Sequence, residues 1–211
     1  TDESKRLEQP GGWLEHERTL ELFTRQVPAG ARVLELGGGT GVYTVPLAAR
    51  GDTVTLVDLV PHHLDAARDN LDAAGLDATL VLGDALAPPV DGPFDAVLST
   101  GPLYHVHGPD ELQQMLNAAA RLLRPQGFFA GAFLPRATGV SGLLARLAST
   151  PEQLAPGDLA TTWNDGRFAN RTGTGFSEAF FAEPRQLVLA ARRAGFSDVS
   201  VTSLRGLAAP Y

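Results

Sequence analysis

Residues 32–41 read R-V-L-E-L-G-G-G-T-G, a short apolar run that passes directly into a glycine-rich loop. We predict a buried strand over 32–36 and a helix over about 42–50, with the loop between them. Glycine lets the backbone take positive φ angles and approach a ligand closely, and four glycines in five positions exceed what a plain turn requires. Exposed N–H groups at the start of the helix favour an anionic group such as a carboxylate or phosphate. The stretch therefore predicts a ligand-binding loop.

The alternation of strand and helix continues along the chain. Helices are predicted over 14–27, 61–74, 110–123 and 184–194. Further strands are predicted over 54–57, 78–82, 94–98, 128–133 and, as a sixth strand, 199–204. This order predicts βαβ units, so the expected fold class is α/β, with a mostly parallel sheet and helices on both of its faces.

Polar and glycine residues follow the ends of four predicted strands, at residues 35–41, Asp58, Asp84 and residues 99–105. Right-handed crossovers place all the C-terminal strand ends at one edge of the sheet. In open α/β sheets ligands bind at that edge, so these residues are predicted to form one site.

Residues 135–180 interrupt the alternation with prolines, glycines, one short helical stretch over 143–147 and two aromatic clusters. A loop of this length without regular structure is usually functional or disordered, and we interpret it as a lid insertion after strand five, over the ligand edge. Its larger side chains either line an apolar substrate pocket with one charge or only pack within the lid. These side chains are Trp163, Arg167, Phe168, Phe180 and Phe181.

The loop does not fit the dinucleotide fingerprint G-x-G-x-x-G, whose third glycine would fall on Val42. The pattern is acid-x-G-x-G-x-G from Glu35, and here the chain resembles the class I S-adenosylmethionine-dependent methyltransferases. The resemblance continues through Asp58, 21 residues after Gly37, and through G-D-A at 83–85, F-D-A-V-L-S-T-G-P-L-Y-H-V at 94–106 and L-L-R-P-Q-G at 122–127. A weaker match to small bacterial members covers 176–184 and 194–196. The resemblance implies a Rossmann-like fold and S-adenosyl-L-methionine as the cofactor.

The resemblance also implies contacts to the methionine half of the cofactor. Gly37, Gly39 and Gly41 would line it, with Glu35 beneath them and directed toward the ammonium group. Thr100, or a neighbour of it at 99 or 101, would contact the methionine end.

The nucleoside half would be held at the ends of the second and third strands. Asp58 would accept hydrogen bonds from both ribose hydroxyls, a role that suits an ionised carboxylate. Leu59 would pack on the adenine, while Asp84 and the backbone of Ala85 would read its amino edge. The alternatives are that Asp58 and Asp84 only close turns and that Leu59 belongs to the core.

In methyl transfer the cofactor supplies the leaving group, so the protein positions the reactants and sometimes adds a general base. Tyr104 and His105, after the fourth strand, are the candidate catalytic residues, since a histidine with a pKa near 6.5 accepts a proton at neutral pH. Each is otherwise a structural residue beside the cofactor. His107 and His16 are further candidates. Arg18 either reaches the cofactor carboxylate or is solvated.

No metal is predicted, because no acidic or histidine pair with ligand spacing stands near the proposed site. His62 and His63 are expected at the surface, away from any matching ligands.

We expect one methyltransferase domain over 1–211, made of an N-terminal helical cap (1–30), a cofactor-binding core (31–133), a substrate lid insertion (134–182) and a C-terminal helix and strand (183–211). Members of the family end in a seventh, antiparallel strand made by a hairpin after strand six, and residues 205–211 are too few for it. We therefore expect a truncated C-terminus, unless another segment fills that place. Because the first residue is Thr1, the native start is also expected to be missing.

The composition excludes several functions. The 211 residues contain no cysteine, which excludes disulfides, thiolate metal sites and thiol nucleophiles, and Lys5 is the only lysine, which excludes a Walker A loop. A net charge of −7 argues against a nucleic-acid partner, and no apolar run approaches the length of a membrane span.

The predicted function is that of a cytoplasmic enzyme that methylates an O, N or C nucleophile of a small-molecule acceptor, with its oligomeric state open. The alternatives are a non-catalytic cofactor-binding regulatory protein and an NAD-dependent oxidoreductase. The glycine spacing and the lack of a tyrosine–lysine pair disfavour the oxidoreductase.

Overall fold

A parallel sheet of five strands forms the centre of the protein, in a computed structural model that describes residues 10–151, 154–155, 157–169 and 178–204. The strands are β1 (Arg32–Leu36), β2 (Thr53–Asp58), β3 (Thr79–Leu82), β4 (Phe94–Ser99) and β5 (Leu123–Gly131). They lie in the order β3-β2-β1-β4-β5, and every neighbouring pair is parallel. The predicted α/β fold class is confirmed.

Seven α-helices occur in the described residues: α1 (Pro10–Gln26), α2 (Thr44–Ala49), α3 (Pro61–Ala74), α4 (Pro109–Leu122), α5 (Arg136–Ser149), α6 (Asp158–Asp165) and α7 (Pro184–Arg193). A 3₁₀ turn covers Pro102–Tyr104, and a separate antiparallel hairpin consists of β6 (Arg167–Ala169) and β7 (Glu178–Phe180). None of the helices in the described part of the chain combines the length and the apolar character needed to cross a bilayer.

Both faces of the sheet are buried, which explains why its central strands read as continuous apolar runs. Val33 of β1 faces a cluster that includes Phe23 of α1 and Leu47 of α2. Its neighbour Leu34 faces the opposite cluster, which includes Ala119 of α4. Helices therefore cover both faces, as the alternation predicts.

The strand order reverses at β1, which has β2 on one side and β4 on the other. The chain runs outward from β1 to β2 and β3 and then returns to place β4 on the far side. This reversal opens a crevice at the C-terminal ends of β1 and β4, the usual ligand position in such sheets. The glycine-rich loop and the loop after β4 border this crevice.

The segment after β5 contains more regular structure than we predict from the sequence. Instead of one helical stretch over 143–147, α5 extends from Arg136 to Ser149 and buries Val140 and Leu143, three positions apart on one helical face. Helix α6 and the β6–β7 hairpin follow it. Residues 152–153, 156 and 170–177 lie outside the described residues, and so does part of the second aromatic cluster.

The predicted sixth strand is wrong, because residues 199–204 form no strand. Their alternating pattern suits a strand, but pairing with a neighbour is what stabilises a strand, and these residues have no ladder partner within the described part of the chain. Val199 instead packs against the apolar cluster between α4 and α7, while Val201 is exposed. Residues 205–211 lie outside the described part of the chain.

Candidate functional site

The glycine loop lies between the end of β1 and α2 with one side packed and one side open. Gly37, Gly39 and Gly41 have φ angles of 65°, 56° and 80°, which only glycine adopts without strain. A methyl group added to Gly37 would lie 2.2 Å from Cγ of Pro102, so the loop packs tightly against the 3₁₀ turn that follows β4. One added to Gly39 would meet nothing within 4 Å. The loop thus offers free space at Gly39 for a ligand.

Glu35, the penultimate residue of β1, is fully buried. The Thr44 hydroxyl, at the start of α2, donates to its Oε2, whereas Oε1 has no hydrogen-bond partner in the described structure. A methyl group added to Gly38 would lie 2.8 Å from the Glu35 Cδ, so the loop lies directly against this carboxyl group.

Burial raises the pKa of Glu35 to about 8, and the nearby charge of Asp58 acts in the same direction, although the hydrogen bonds from Thr44 oppose both effects. A buried carboxyl oxygen without a partner costs free energy. A cationic hydrogen-bond donor that reached Oε1 would satisfy it and would favour the ionised form. Glu35 is therefore suited to bind a ligand ammonium group.

Asp58 ends β2 and joins it to the glycine loop. It is 6% exposed, and its Oδ2 accepts a hydrogen bond from the Gly39 N–H at 2.8 Å. Oδ1 accepts a hydrogen bond from the Val60 N–H at 2.9 Å. This contact closes a turn, which is the alternative role for Asp58 that the sequence leaves open. The His63 Nδ1 lies 3.1 Å from the same oxygen. A carboxylate accepts about four hydrogen bonds, so Asp58 keeps limited capacity for a ligand.

The contact of His63 with Asp58 corrects the expectation that this histidine is only a surface residue. His63 is half-buried, at the third position of α3. Helical geometry carries its ring back toward the strand end, five residues earlier. Its position in the first turn of the helix that follows Asp58 was a signal that the sequence reading missed, and the position of Thr44 near Glu35 was another.

The structure distinguishes between the alternative roles that the sequence leaves open for Leu59 and Asp84. Leu59 is 66% exposed beside Asp58, so it does not belong to the core. Asp84 is exposed, and its Oδ1 accepts a hydrogen bond from the Leu86 N–H at 2.9 Å, which closes a turn. Ala85 is half-buried and packs against the apolar clusters beneath. Contacts of these residues with adenine stay predictions.

The loop after β4 carries the candidate catalytic residues. Ser99 is fully buried and its Oγ has no partner in the described residues, while Thr100 is half-buried. The rings of Tyr104 and His105 lie 4.9 Å apart. The His105 Nδ1 lies 3.3 Å from the carbonyl oxygen of Glu178 in β7, so the hairpin contacts this loop.

Desolvation of its ring lowers the pKa of His105 from 6.5, against the weaker opposing effect of the Glu178 carbonyl. The imidazole is therefore neutral at pH 7. When Nδ1–H donates to that carbonyl, the lone pair resides on Nε2, the form that a general base requires.

His107 is less suited to act as a base. Its Nδ1 lies 2.9 Å from a carboxylate oxygen of Glu111, and its Nε2 lies 2.8 Å from one of Glu178. Hydrogen bonds and the charge of Glu111 raise the pKa of His107, which favours the protonated ring. It bridges α4 to the β6–β7 hairpin.

His16 and Arg18 lie on α1. The His16 Nε2 lies 3.0 Å from the carbonyl oxygen of Val42, and its ring stacks on that of Tyr43 at 4.9 Å. Arg18 pairs with Glu21 of its own helix at 2.6 Å. The structure thus uses His16 to dock α1 against the end of the glycine loop.

The larger side chains of the segment after β5 do not all line one pocket, which was one of the two alternatives that the sequence leaves open. Phe180 is buried in a cluster with Leu103, and Trp163 is 62% exposed. Arg167 and Phe168 instead line a cavity of ≈ 250 Å³ that also borders Val106 and His107. Among the described residues there is no group of three metal-ligating side chains.

Comparison with known proteins shows which proteins the segment around this site resembles. Residues 33–127 match the family described as "Methyltransferase domain". The matched segment begins in β1 and includes the glycine loop, Asp58, Asp84 and the loop after β4.

Two curated relatives illustrate the likeness in sequence. The chain is 34% identical over 111 residues to the ubiquinone biosynthesis O-methyltransferase of Xylella fastidiosa (strain 9a5c), covering 51% of this chain and 44% of the relative. It is 40% identical over 83 residues to the magnesium-protoporphyrin O-methyltransferase of Rhodobacter capsulatus, covering 38% and 36%. The chain spans less than half the length of these relatives.

Solved structures share the fold. An S-adenosylmethionine-dependent methyltransferase of Methanosarcina mazei superposes with a TM-score of 0.68 at 20% identity and covers 82% of each chain. The magnesium protoporphyrin IX methyltransferase of Synechocystis PCC 6803, bound to S-adenosylhomocysteine, gives 0.61 at 18% identity, covering 88% of this chain and 72% of the other. At this identity the likeness concerns the fold, and it confirms the predicted Rossmann-like architecture.

Proposed function

Since residues 33–127 of this chain match the family described as "Methyltransferase domain", we propose that the protein binds S-adenosyl-L-methionine and transfers its methyl group to a small-molecule acceptor. The observation that carries the proposal is Glu35, a fully buried carboxyl group against the glycine loop with one oxygen unpartnered in the described structure. A carboxylate at this position would repel the pyrophosphate that an oxidoreductase loop binds, whereas it would attract the ammonium group of a methionine moiety.

The surrounding residues fit the rest of the cofactor. The open side of Gly39 leaves room for the methionine half. Asp58 would bind the ribose, and the displacement of the His63 ring from Oδ1 would restore capacity for the second hydroxyl. Leu59, already exposed beside Asp58, would cover the adenine. Asp84 and Ala85 at the adenine edge, and Thr100 at the methionine end, complete the proposed set.

When bound, the cofactor supplies the electrophilic methyl group and its own leaving group. The chain contributes position, because the close packing of Gly37 on Pro102 holds the glycine loop against the loop that carries Tyr104 and His105. His105, neutral at pH 7, would accept the acceptor's proton at Nε2, and Tyr104 would orient the acceptor. A base of this kind contributes about 10²–10⁴-fold.

The acceptor is proposed to be a small molecule with an O, N or C nucleophile. The named relatives are methyltransferases of ubiquinone biosynthesis and of magnesium protoporphyrin, which supports an acceptor of this size. The segment from α5 to β7, which contacts the catalytic loop through Glu178, is proposed as the substrate lid. A cytoplasmic location and the lack of a nucleic-acid partner stay predictions from the sequence.

Calorimetry with S-adenosylmethionine, S-adenosylhomocysteine and NAD tests the cofactor assignment. We expect both sulfur cofactors to bind and NAD not to bind. Binding of NAD alone would overturn the proposal. Turnover of methyl-labelled cofactor against a metabolite library then separates an enzyme from a regulatory protein that only binds the cofactor.

A further inference from the structure

The cavity of ≈ 250 Å³ lies between the loop after β4 and the segment proposed as the lid. Its walls come from Val106 and His107, from α6, and from both strands of the β6–β7 hairpin. Glu178, one of its lining residues, also contacts His105 through its carbonyl oxygen. The cavity therefore adjoins the loop on which we place the catalytic residues.

The carboxylates that line the cavity are engaged with other groups. The Asp158 Oδ2 accepts a hydrogen bond from the Ala155 N–H at 2.8 Å. The Glu178 Oε2 lies 2.8 Å from the Nε2 of His107, whose pKa is raised by its contacts with Glu111 and Glu178. Neither acid forms an ion pair with Arg167 within 4 Å.

Arg167 is the lining cation whose guanidinium is not engaged by any other described side chain. Across the described ranges no ion pair and no side-chain hydrogen bond involves its guanidinium. The guanidinium nonetheless packs closely against the backbone at Gly108, because a methyl group added to Gly108 would lie 2.9 Å from its Nη2 and 3.3 Å from its Nε. The buried Thr162 hydroxyl donates to the Arg167 carbonyl oxygen at 3.1 Å and anchors the start of β6.

From this arrangement we propose that the cavity binds the carboxylate of an anionic methyl acceptor, with Arg167 as the residue that selects it. The inference rests on the proposed function, because it assigns the acceptor side of the same site. A guanidinium binds a carboxylate through two parallel hydrogen bonds. Phe168, Val106 and Ala179 provide apolar contacts for the remainder of the molecule. Asp158 and Glu178 disfavour a doubly charged phosphate in the same place.

The test uses benzoate, its neutral near-isostere benzamide, and the doubly charged phenyl phosphate. Each is titrated into the isotopically labelled protein and followed by amide chemical shifts. We expect benzoate to shift the amides of Thr161, Thr162, Arg167 and Ala169. Benzamide is expected to bind at least about tenfold more weakly, since a hydrogen bond between charged groups is the stronger kind. Equal binding of benzamide, or tighter binding of phenyl phosphate, would overturn the proposal.

Variants locate the interaction. Arg167→Gln is expected to weaken benzoate binding about tenfold or more, and Arg167→Lys, which keeps the charge but not the paired donors, by less. Arg121→Gln, an exposed arginine of α4 outside the cavity, serves as the matched control and should leave benzoate binding unchanged. An unchanged affinity in Arg167→Gln, with native chemical shifts elsewhere, refutes the assignment.

The two proposals fail separately. If S-adenosylmethionine binds but benzoate shows no dependence on Arg167, only the acceptor inference is wrong. If benzoate binds through Arg167 and S-adenosylmethionine does not bind, the anion site stands and the methyltransferase function is wrong.

Discussion

Replacement of Glu35 by glutamine is expected to change how cofactor binding depends on pH. The pKa of Glu35 is raised to about 8, so most of the carboxyl groups are protonated at neutral pH in the protein without cofactor. Pairing with an ammonium group requires the carboxylate, and binding therefore releases a proton from Glu35. Glutamine has nearly the same shape, fits the same space below the loop and has no proton to release.

The size of the effect follows from the raised pKa. With a pKa of about 8, Glu35 is more than 0.9 protonated at pH 6.5, so each bound cofactor should release about 0.9 proton. Affinity should then rise about tenfold per pH unit below pH 7 and level off near pH 8. Above pH 8 it should fall again, because an α-amino group with an ordinary pKa of about 7.7–8.0 loses its charge.

Calorimetric titrations of S-adenosylhomocysteine at pH 6.5, in buffers that differ in ionisation enthalpy, measure the released protons directly. The wild-type protein should release about 0.9 proton more than Glu35→Gln, whose affinity should be lower at pH 8 and nearly constant from pH 6 to 7.5. The comparison cancels the contributions of every ionisable group that both proteins share. Equal proton release by the two proteins would refute the assigned role of Glu35.

Three further substitutions test the site. Asp58→Ala should weaken cofactor binding more than tenfold, about 1.4 kcal/mol, in the same calorimetric assay, and an unchanged affinity would rule out the ribose contact. Leu59→Ala should weaken binding several-fold, at about 0.8 kcal/mol per buried CH₂ removed, whereas the matched control Leu189→Ala, at another exposed leucine (54% exposed) on α7, should have no effect. His105→Gln should lower kcat by about 10²–10⁴ and leave cofactor affinity within twofold; because the pKa of His105 lies below 6.5, the wild-type rate should fall only as the pH drops below that value. A kcat that survives this change would limit His105 to positioning.

The parts of the fold that depend only on residues close together in the sequence were predictable. The apolar run of β1, the glycines after it and Asp58 at the end of β2 each follow from local periodicity and backbone freedom. The sixth strand was not predictable in this way, because its pattern is suitable but a strand also needs a partner edge. The length of helix α5 was underestimated for a related reason. Val140 and Leu143 stabilise this helix only because the rest of the fold supplies a surface against which they are buried.

The order of strands and helices along the chain predicts that the candidate cofactor residues lie at one edge of the sheet, because parallel strands with right-handed crossovers bring their C-terminal ends together. It could not anticipate which side chains meet there. The His105 ring and the Glu178 carbonyl are 73 residues apart, and the unpartnered oxygen of Glu35 exists only because folding removes it from water. Contacts and desolvation of this kind are properties of packing. The sequence by itself therefore determines the types of the candidate residues and their order, whereas their partners and pKa values depend on the three-dimensional arrangement.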